Sequence, residues 1–123
     1  MEIEHVAFNV SGPLEMSRWY VQNLGFEIIR QEDKSPFTTF MADKRGVMVE
    51  VYKNPADQVP DYEKMDPLIL HLAFKVEEPD KEKQRLLDAG AKAVNDEELA
   101  DGSRIIMLRD PWGLAIQLCK RSL

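Results

Sequence analysis

The apolar residues of this chain alternate with polar ones over short segments, and they recur at helical spacing in two longer stretches. Residues 3–10 alternate strictly, which is typical of a strand with one buried face. The following "SGPLEMSRWYVQNLG" predicts a helix over 13–24, because Pro13 falls in the first turn and Gly25 follows the last apolar residue. Three further extended segments complete this half of the chain: 26–31, 36–42 and 47–53. The predicted order of elements is therefore βαβββ.

The same order of elements recurs in the second half. "HVAFNV" at 5–10 and "HLAFKV" at 71–76 share four of six positions and hold both histidines of the chain. "MADKRGVMVEVYK" is similar to "LRDPWGLAIQLCK" 67 residues later, with "DKRG" and "DPWG" as matched turns. A helix in "EPDKEKQRLLDAG" and strands at 91–95, 103–109 and 114–120 complete the second copy.

These elements predict one α+β domain, 1–123, built from two βαβββ modules. The first module is 1–53 and the second is 68–123. The Pro- and Asp-rich "NPADQVPDYEKMDP" of 54–67 is predicted to be a linker loop. We interpret the acidic "VNDEEL" of 94–99 as a solvated loop rather than a metal site.

Strand parity separates an apolar face, predicted to pack under the helices, from a face that carries polar side chains. The apolar face holds Val6, Phe8, Val10, Val47, Val49, Val51, Leu72, Phe74, Val76, Leu114, Ile116 and Leu118. On the opposite face His5 matches His71, and Glu50 matches Gln117, at equivalent places in the two modules. If a pseudo-twofold axis relates the modules, these four side chains converge on it.

Two imidazoles, one carboxylate and one amide oxygen suit a divalent metal ion. His5, His71 and Glu50 resemble the two-histidine, one-carboxylate set that leaves coordination positions open for substrate. The competing interpretation is a pair of histidines hydrogen-bonded on a sheet surface, because the sequence has no local ligand motif such as H-x-x-x-H.

Composition excludes several kinds of partner. The net charge of −6 and the pI of about 4.9 argue against nucleic acid, whose binding depends on Lys and Arg. No apolar run approaches the roughly 20 residues of a membrane-spanning helix. The first residues lack the pattern of a signal peptide, so we expect a cytoplasmic protein. The single cysteine, Cys119, is interpreted as a small apolar filler.

Five features together resemble the vicinal oxygen chelate superfamily, which includes glyoxalase I, methylmalonyl-CoA epimerase, extradiol dioxygenases and the fosfomycin and bleomycin resistance proteins. They are the histidine that opens the first strand, "YVQNLGFEII", "VEVY", "LHLAFKV" and "RDPWGLAIQL", which is similar to the family's D-P-x-G ending. The resemblance implies sheets that curl into a cup with helices on its outer face, assembled as a homodimer. It also implies a divalent metal ion (Ni, Co, Mn, Fe or Zn) held by His5, Glu50, His71 and Gln117.

Gln117 departs from the family pattern, because glyoxalase I and most metal-dependent relatives have a glutamate at that place. A glutamine keeps a carbonyl oxygen but lacks charge and basicity, so we expect weaker metal binding. The epimerase has the ligands His, Gln, His and Glu in strand order. Exchanging its two modules gives the order His, Glu, His, Gln of this chain. It fits a ring-cleaving dioxygenase less well, because the carboxylate of that enzyme resembles position 117 rather than 50.

The resemblance implies a glyoxalase-like lyase or isomerase that acts on a small oxygen-rich substrate through an enediolate or enolate. Glu50 is the only acid of the set, so it would serve as ligand, as catalytic base, or as both. The alternative is a metal-free antibiotic-binding protein of the bleomycin resistance type, in which Gln117 marks a lost ligand.

The walls of a substrate pocket are expected on the same strands and on nearby loops. The candidates are Phe37, Phe40, Met48, Tyr52, Arg104, Met107, Arg109 and Trp112. Either arginine would hold an anionic group, or would lie at a solvated strand end. Tyr62 and Met65 of the linker would form a lid or pack as an ordinary loop. Neither composition nor motif selects among a glutathione adduct, a coenzyme A thioester, an antibiotic and a catechol.

Overall fold

The computed structural model describes residues 1–122, and these form two compact units, one ending at Pro60 and the other beginning at Asp61. The first unit contains β1 (His5–Asn9), α1 (Pro13–Leu24), β2 (Glu27–Gln31), β3 (Thr39–Ala42) and β4 (Met48–Tyr52). The second contains a 3-10 helix (Tyr62–Lys64), β5 (Leu72–Lys75), α2 (Pro79–Asp88), β6 (Lys92–Glu98), β7 (Arg104–Arg109) and β8 (Ala115–Lys120). Among the described residues, no helix has the length and apolarity needed to cross a membrane.

Each unit forms a four-stranded mixed sheet, and the two sheets have the same strand order. The first sheet runs β1-β4-β3-β2 and the second runs β5-β8-β7-β6. In both, the first strand of the module pairs in parallel with the last strand, and the other neighbours are antiparallel. The predicted α+β fold of two βαβββ modules is therefore confirmed.

The helix α1 follows from its sequence. Pro13 lies at the start of the helix, where its missing N–H costs no hydrogen bond, and Gly25 ends the helix with a left-handed φ of 73°. The buried face carries Met16 and Tyr20, both fully buried, and the Tyr20 ring lies 5.7 Å from that of Phe26. Burial of each such side chain contributes about 1.5–3 kcal/mol to the core of this unit.

The predicted apolar face is mostly buried in β1, β4 and β8, whereas Leu72, Phe74 and Val76, in β5 and just after it, are only half-buried. Val49 and Val51 of β4 are buried, and so are the equivalent Ile116 and Leu118 of β8. Val6 stays 41% exposed and Val47 43% exposed, contrary to the prediction. Both lie near the starts of β1 and β4, whereas α1 packs mainly against β3.

Two segments differ most from their predicted boundaries. The strand β3 begins at Thr39 rather than at 36, because the preceding loop contains Phe37 with a φ of 60°, which an extended strand does not allow. The strand β6 runs to Glu98, so most of "VNDEEL" is strand rather than loop. Its backbone pairs with β7 while its side chains remain exposed, so it lacks the apolar alternation that would have revealed it.

Candidate functional site

His5 and Glu50 are neighbours in the first unit. β1 and β4 pair in parallel, with His5 opposite Met48 and Ala7 opposite Glu50. His5 and Ala7 share one face of β1, so the imidazole and the carboxylate lie diagonally across the strand pair on one face of the sheet. The distance from His5 Nε2 to Glu50 Oε1 is 3.6 Å.

The ring of His5 is oriented by groups on three of its sides. Its Nδ1 hydrogen-bonds to the carboxylate of Glu4, the preceding residue. The ring of Phe40 meets it edge-on, with ring centroids 5.5 Å apart, and Phe40 lies opposite Glu50 in the β3–β4 register. With Nδ1 engaged by Glu4, Nε2 is the nitrogen that faces Glu50.

The second unit repeats this arrangement at His71 and Gln117. His71 lies directly before β5, in which Ala73 is opposite Gln117, so the offset between histidine and partner is that of the first unit. The Nδ1 of His71 donates to the backbone carbonyl of Pro67 at 2.8 Å. Both histidines therefore have Nδ1 occupied by an oxygen acceptor, which leaves Nε2 as the potential ligand atom.

Gln117 is buried, and its side-chain oxygen has a defined partner. The thiol of Cys119 donates to Oε1 of Gln117 at 2.9 Å. Burial raises the pKa of the Cys119 thiol, so the thiol stays protonated at neutral pH and remains a donor. An amide oxygen has two lone pairs, so this hydrogen bond leaves Oε1 one position for a further partner.

In each unit, the histidine and its partner side chain form a pair of donors that suits a divalent metal ion. Each unit supplies one histidine Nε2 and one oxygen, and ligands about 2.0–2.2 Å from one ion stand roughly 3–3.5 Å from each other. The 3.6 Å between His5 and Glu50 is close to that separation. Among residues 1–122, no three or more histidine, cysteine, aspartate or glutamate side chains are grouped to hold an ion by themselves. The four-residue ligand set stays a prediction.

Glu50 also lines a shallow cleft of the first unit with a volume of about 430 Å³. The other lining residues are Ser35, Pro36, Thr38, Tyr52, Asn54 and Pro55. Tyr52 alone among these was a predicted pocket residue. The rest lie in the loops that precede β3 and follow β4, where strand alternation gives no signal.

Comparison with known proteins decides the family. The family model described as "Glyoxalase/Bleomycin resistance protein/Dioxygenase superfamily" matches residues 2–118. The chain belongs to this superfamily. No curated protein sequence matches the chain. The expected relationship to the vicinal oxygen chelate superfamily is confirmed.

Similar solved structures cover almost the whole chain. A glyoxalase family protein from Enterococcus faecalis has 28% identity and a TM-score of 0.76, over 97% of each chain. SMU.1112c has 25% identity and a TM-score of 0.75, over 98% of each chain. TnmS3, an antibiotic binding protein from Streptomyces sp. CB03234, has 19% identity and a TM-score of 0.76, over 99% of this chain and 97% of its own. The last similarity shows the fold alone.

The glyoxalase-superfamily fold places the remaining pocket-wall candidates in different surroundings. Met48 is half-buried opposite His5, and Met107 is buried opposite Gln117. Trp112 lies in the "DPWG" turn, where its backbone N–H donates to Asp110. Met48 and Met107 therefore flank the two histidine–partner pairs.

Both candidate arginines are engaged by protein groups. Arg104 pairs with Asp80 at 2.8 Å and with Asp96 at 2.7 Å. Arg109 donates to the backbone carbonyls of Tyr62 at 2.9 Å and Met65 at 2.9 Å. With Tyr62 buried as well, this part of the predicted linker belongs to the second unit and contains the 3-10 helix Tyr62–Lys64.

Proposed function

We propose that this protein is a divalent-metal-dependent lyase or isomerase that acts on a small oxygen-rich substrate. The observation that carries the proposal is that the two histidines have equivalent hydrogen bonds at Nδ1. Each has its Nδ1 bonded to an oxygen, so each directs Nε2 as a ligand, and the first has a carboxylate 3.6 Å from that atom. Histidines that ligate metals are oriented in this way by an acceptor on the other ring nitrogen.

In this proposal His5, Glu50, His71 and Gln117 hold the ion, which is Ni, Co, Mn, Fe or Zn. Bound there, the ion supplies a Lewis acid that polarises a substrate carbonyl and stabilises negative charge on its oxygen. Gln117 brings a neutral oxygen where a glutamate would bring a charge, so a set with one carboxylate holds the ion less tightly than a set with two.

Glu50 is the proposed base. Its Oε1 is the oxygen near His5, and its side chain also borders the cleft, so one carboxylate adjoins both the ligand histidine and bound substrate. The carboxylate takes the proton from a hydroxyl-bearing carbon next to the carbonyl; the electron pair of that C–H bond forms the C=C bond of an enediolate, and the π pair of the carbonyl moves to its oxygen. The same carboxylate returns the proton to the former carbonyl carbon, while the hydroxyl becomes the new carbonyl and its proton passes to the former carbonyl oxygen, which completes an isomerisation with one base.

A second function, metal-free binding of an antibiotic or similar small molecule, is favoured by the cleft beside Glu50. The cleft has the volume of a small-ligand site, about 430 Å³. TnmS3, which shares the fold, is an antibiotic binding protein. In this function Glu50 would accept hydrogen bonds from the ligand instead of moving a proton.

Proton exchange separates the two functions. The metal-loaded protein would be given the hemithioacetal of methylglyoxal and 2-mercaptoethanol in D₂O, with deuterium at the carbon next to the carbonyl followed by NMR. We expect catalysed deuterium incorporation that Glu50→Gln abolishes and that Glu15→Gln, on the exposed side of α1, leaves unchanged. Exchange that survives in Glu50→Gln would refute the role of Glu50, and no exchange with any loaded metal would favour the binding protein.

A further inference from the structure

The cleft beside Glu50 has a composition that selects ligand charge. Hydroxyl and amide groups come from Ser35, Thr38, Tyr52 and Asn54, and the apolar rings come from two prolines. No lysine, arginine or histidine lines it within the described part of the chain, and Glu50 contributes a carboxylate. A cleft of this kind offers hydrogen bonds and flat apolar surface but no counter-charge for an anion.

The hydrogen-bonding groups of the cleft are held in place by backbone contacts. The carbonyl of Pro36 accepts from the backbone N–H of Lys53 at 2.8 Å, and the N–H of Glu32 donates to the carbonyl of Thr38 at 2.9 Å. The N–H of Asn54 donates to the side chain of Asn9 at 2.8 Å. These contacts fix the loop before β3 and the chain after β4 to one another, so the cleft walls are preformed.

Two hydroxyl groups that line the cleft are available to a ligand. Across residues 1–122, the hydroxyl groups of Thr38 and Tyr52 make no hydrogen bond to another residue.

We propose that the cleft binds the uncharged, hydroxyl- or carbonyl-bearing part of the ligand, with a ring against the prolines, and rejects a negative charge there. The proposal rests on the proposed function only in placing the reacting end of the ligand at Glu50. Without a bound ion, a negative charge about 6 Å from the Glu50 carboxylate, at an effective dielectric constant of about 40, loses roughly tenfold in affinity. The ion-free cleft therefore does not select a phosphate, a coenzyme A ester or a carboxylate.

Three probes of the same shape test this charge selection: benzamide is neutral, benzoate is an anion and benzamidine is a cation. Titration into ¹⁵N-labelled protein treated with EDTA, in which no ion offsets the charge of Glu50, would follow the backbone amides of Thr38 and Tyr52. We expect benzamide and benzamidine to shift these signals, and benzoate to bind roughly tenfold more weakly than benzamide. Higher salt should narrow the gap, because salt screens the repulsion from Glu50.

A pair of variants at one position provides the control. Thr38→Lys adds a cation to the cleft, and Thr38→Gln adds a side chain of similar reach without charge. We expect benzoate to gain about tenfold in the lysine variant and nothing in the glutamine variant, with the dispersed amide spectrum reporting that both are folded. Benzoate binding as tightly as benzamide in the wild type, or no shift with any probe, would overturn the proposal. If the wild-type protein binds no metal but the three probes still bind with the expected order of affinities, only the proposed function is refuted.

Discussion

His5 Nε2 and Glu50 Oε1 lie 3.6 Å apart across a parallel strand pair, and the offset that brings them together is repeated at His71 and Gln117. In each module, the residue opposite Glu50 or Gln117 is an alanine, and the histidine stands two residues before that alanine. This repetition makes the two pairs equivalent positions of the two modules. The difference between them is the charge of the partner.

The carboxylate of Glu4 should determine how well His5 serves as a ligand. Glu4→Ala removes the acceptor on Nδ1, so the ring loses its fixed tautomer and orientation, and we expect metal affinity to fall about 10- to 100-fold. Titration calorimetry with Zn or Ni would measure the change. Glu2→Ala is the matched control, since it removes an exposed acid two residues away, and equal affinities in both variants would contradict a role for Glu4.

The matched turn glycines should differ in their tolerance of a methyl group. Gly46 and Gly113 both have left-handed φ values, 89° and 91°, but a Cβ on Gly113 would lie 2.8 Å from the backbone nitrogen of Glu63, whereas one on Gly46 meets nothing within 4 Å. We expect Gly46→Ala to cost about 1 kcal/mol of unfolding free energy, from backbone strain alone. Gly113→Ala should cost about 2 kcal/mol more, because the 3-10 helix must move. Urea unfolding would measure both, and equal losses would contradict the contact with Glu63.

Asp96 should make stability depend on pH only in strong acid. Hydrogen bonds from Arg104 and Lys83 lower its pKa from 3.8 to about 2. The ionised carboxylate is the form that these cations favour, so its contribution is complete above about pH 4 and disappears as the pH falls through about 2. Solvent screening keeps that contribution to about 1 kcal/mol or less.

The variant Asp96→Asn tests this dependence. We expect it to be less stable than the wild type at neutral pH and equally stable below about pH 2, as measured by urea unfolding at each pH. Glu98→Gln, on the same exposed strand, should show no such convergence. A constant difference between Asp96→Asn and the wild type at every pH would mean that charge is not its source.

The sequence predicted the features that depend on repeated side-chain patterns. It did not predict the features that depend on loop conformation or on contacts with backbone groups. The offset between His5 and His71 predicted two modules, because equivalent strands carry equivalent residues. The partners of their Nδ1 atoms were missed, since one is the neighbouring Glu4 and the other is a backbone carbonyl at Pro67. The cleft residue Thr38 was missed because it lies in a loop shaped by the left-handed Phe37, which has no signature in strand alternation.

Metal content tests the central claim most directly. Untagged protein would be loaded separately with Ni, Co, Mn, Fe or Zn, freed of excess ion, and assayed by elemental analysis together with His5→Ala, Glu50→Ala and the surface control Glu15→Ala. The account predicts about one ion per chain in the wild type and in the control, and its loss in the other two variants. Protein that retains none of these metals, or that retains them equally in His5→Ala and Glu50→Ala, would contradict it.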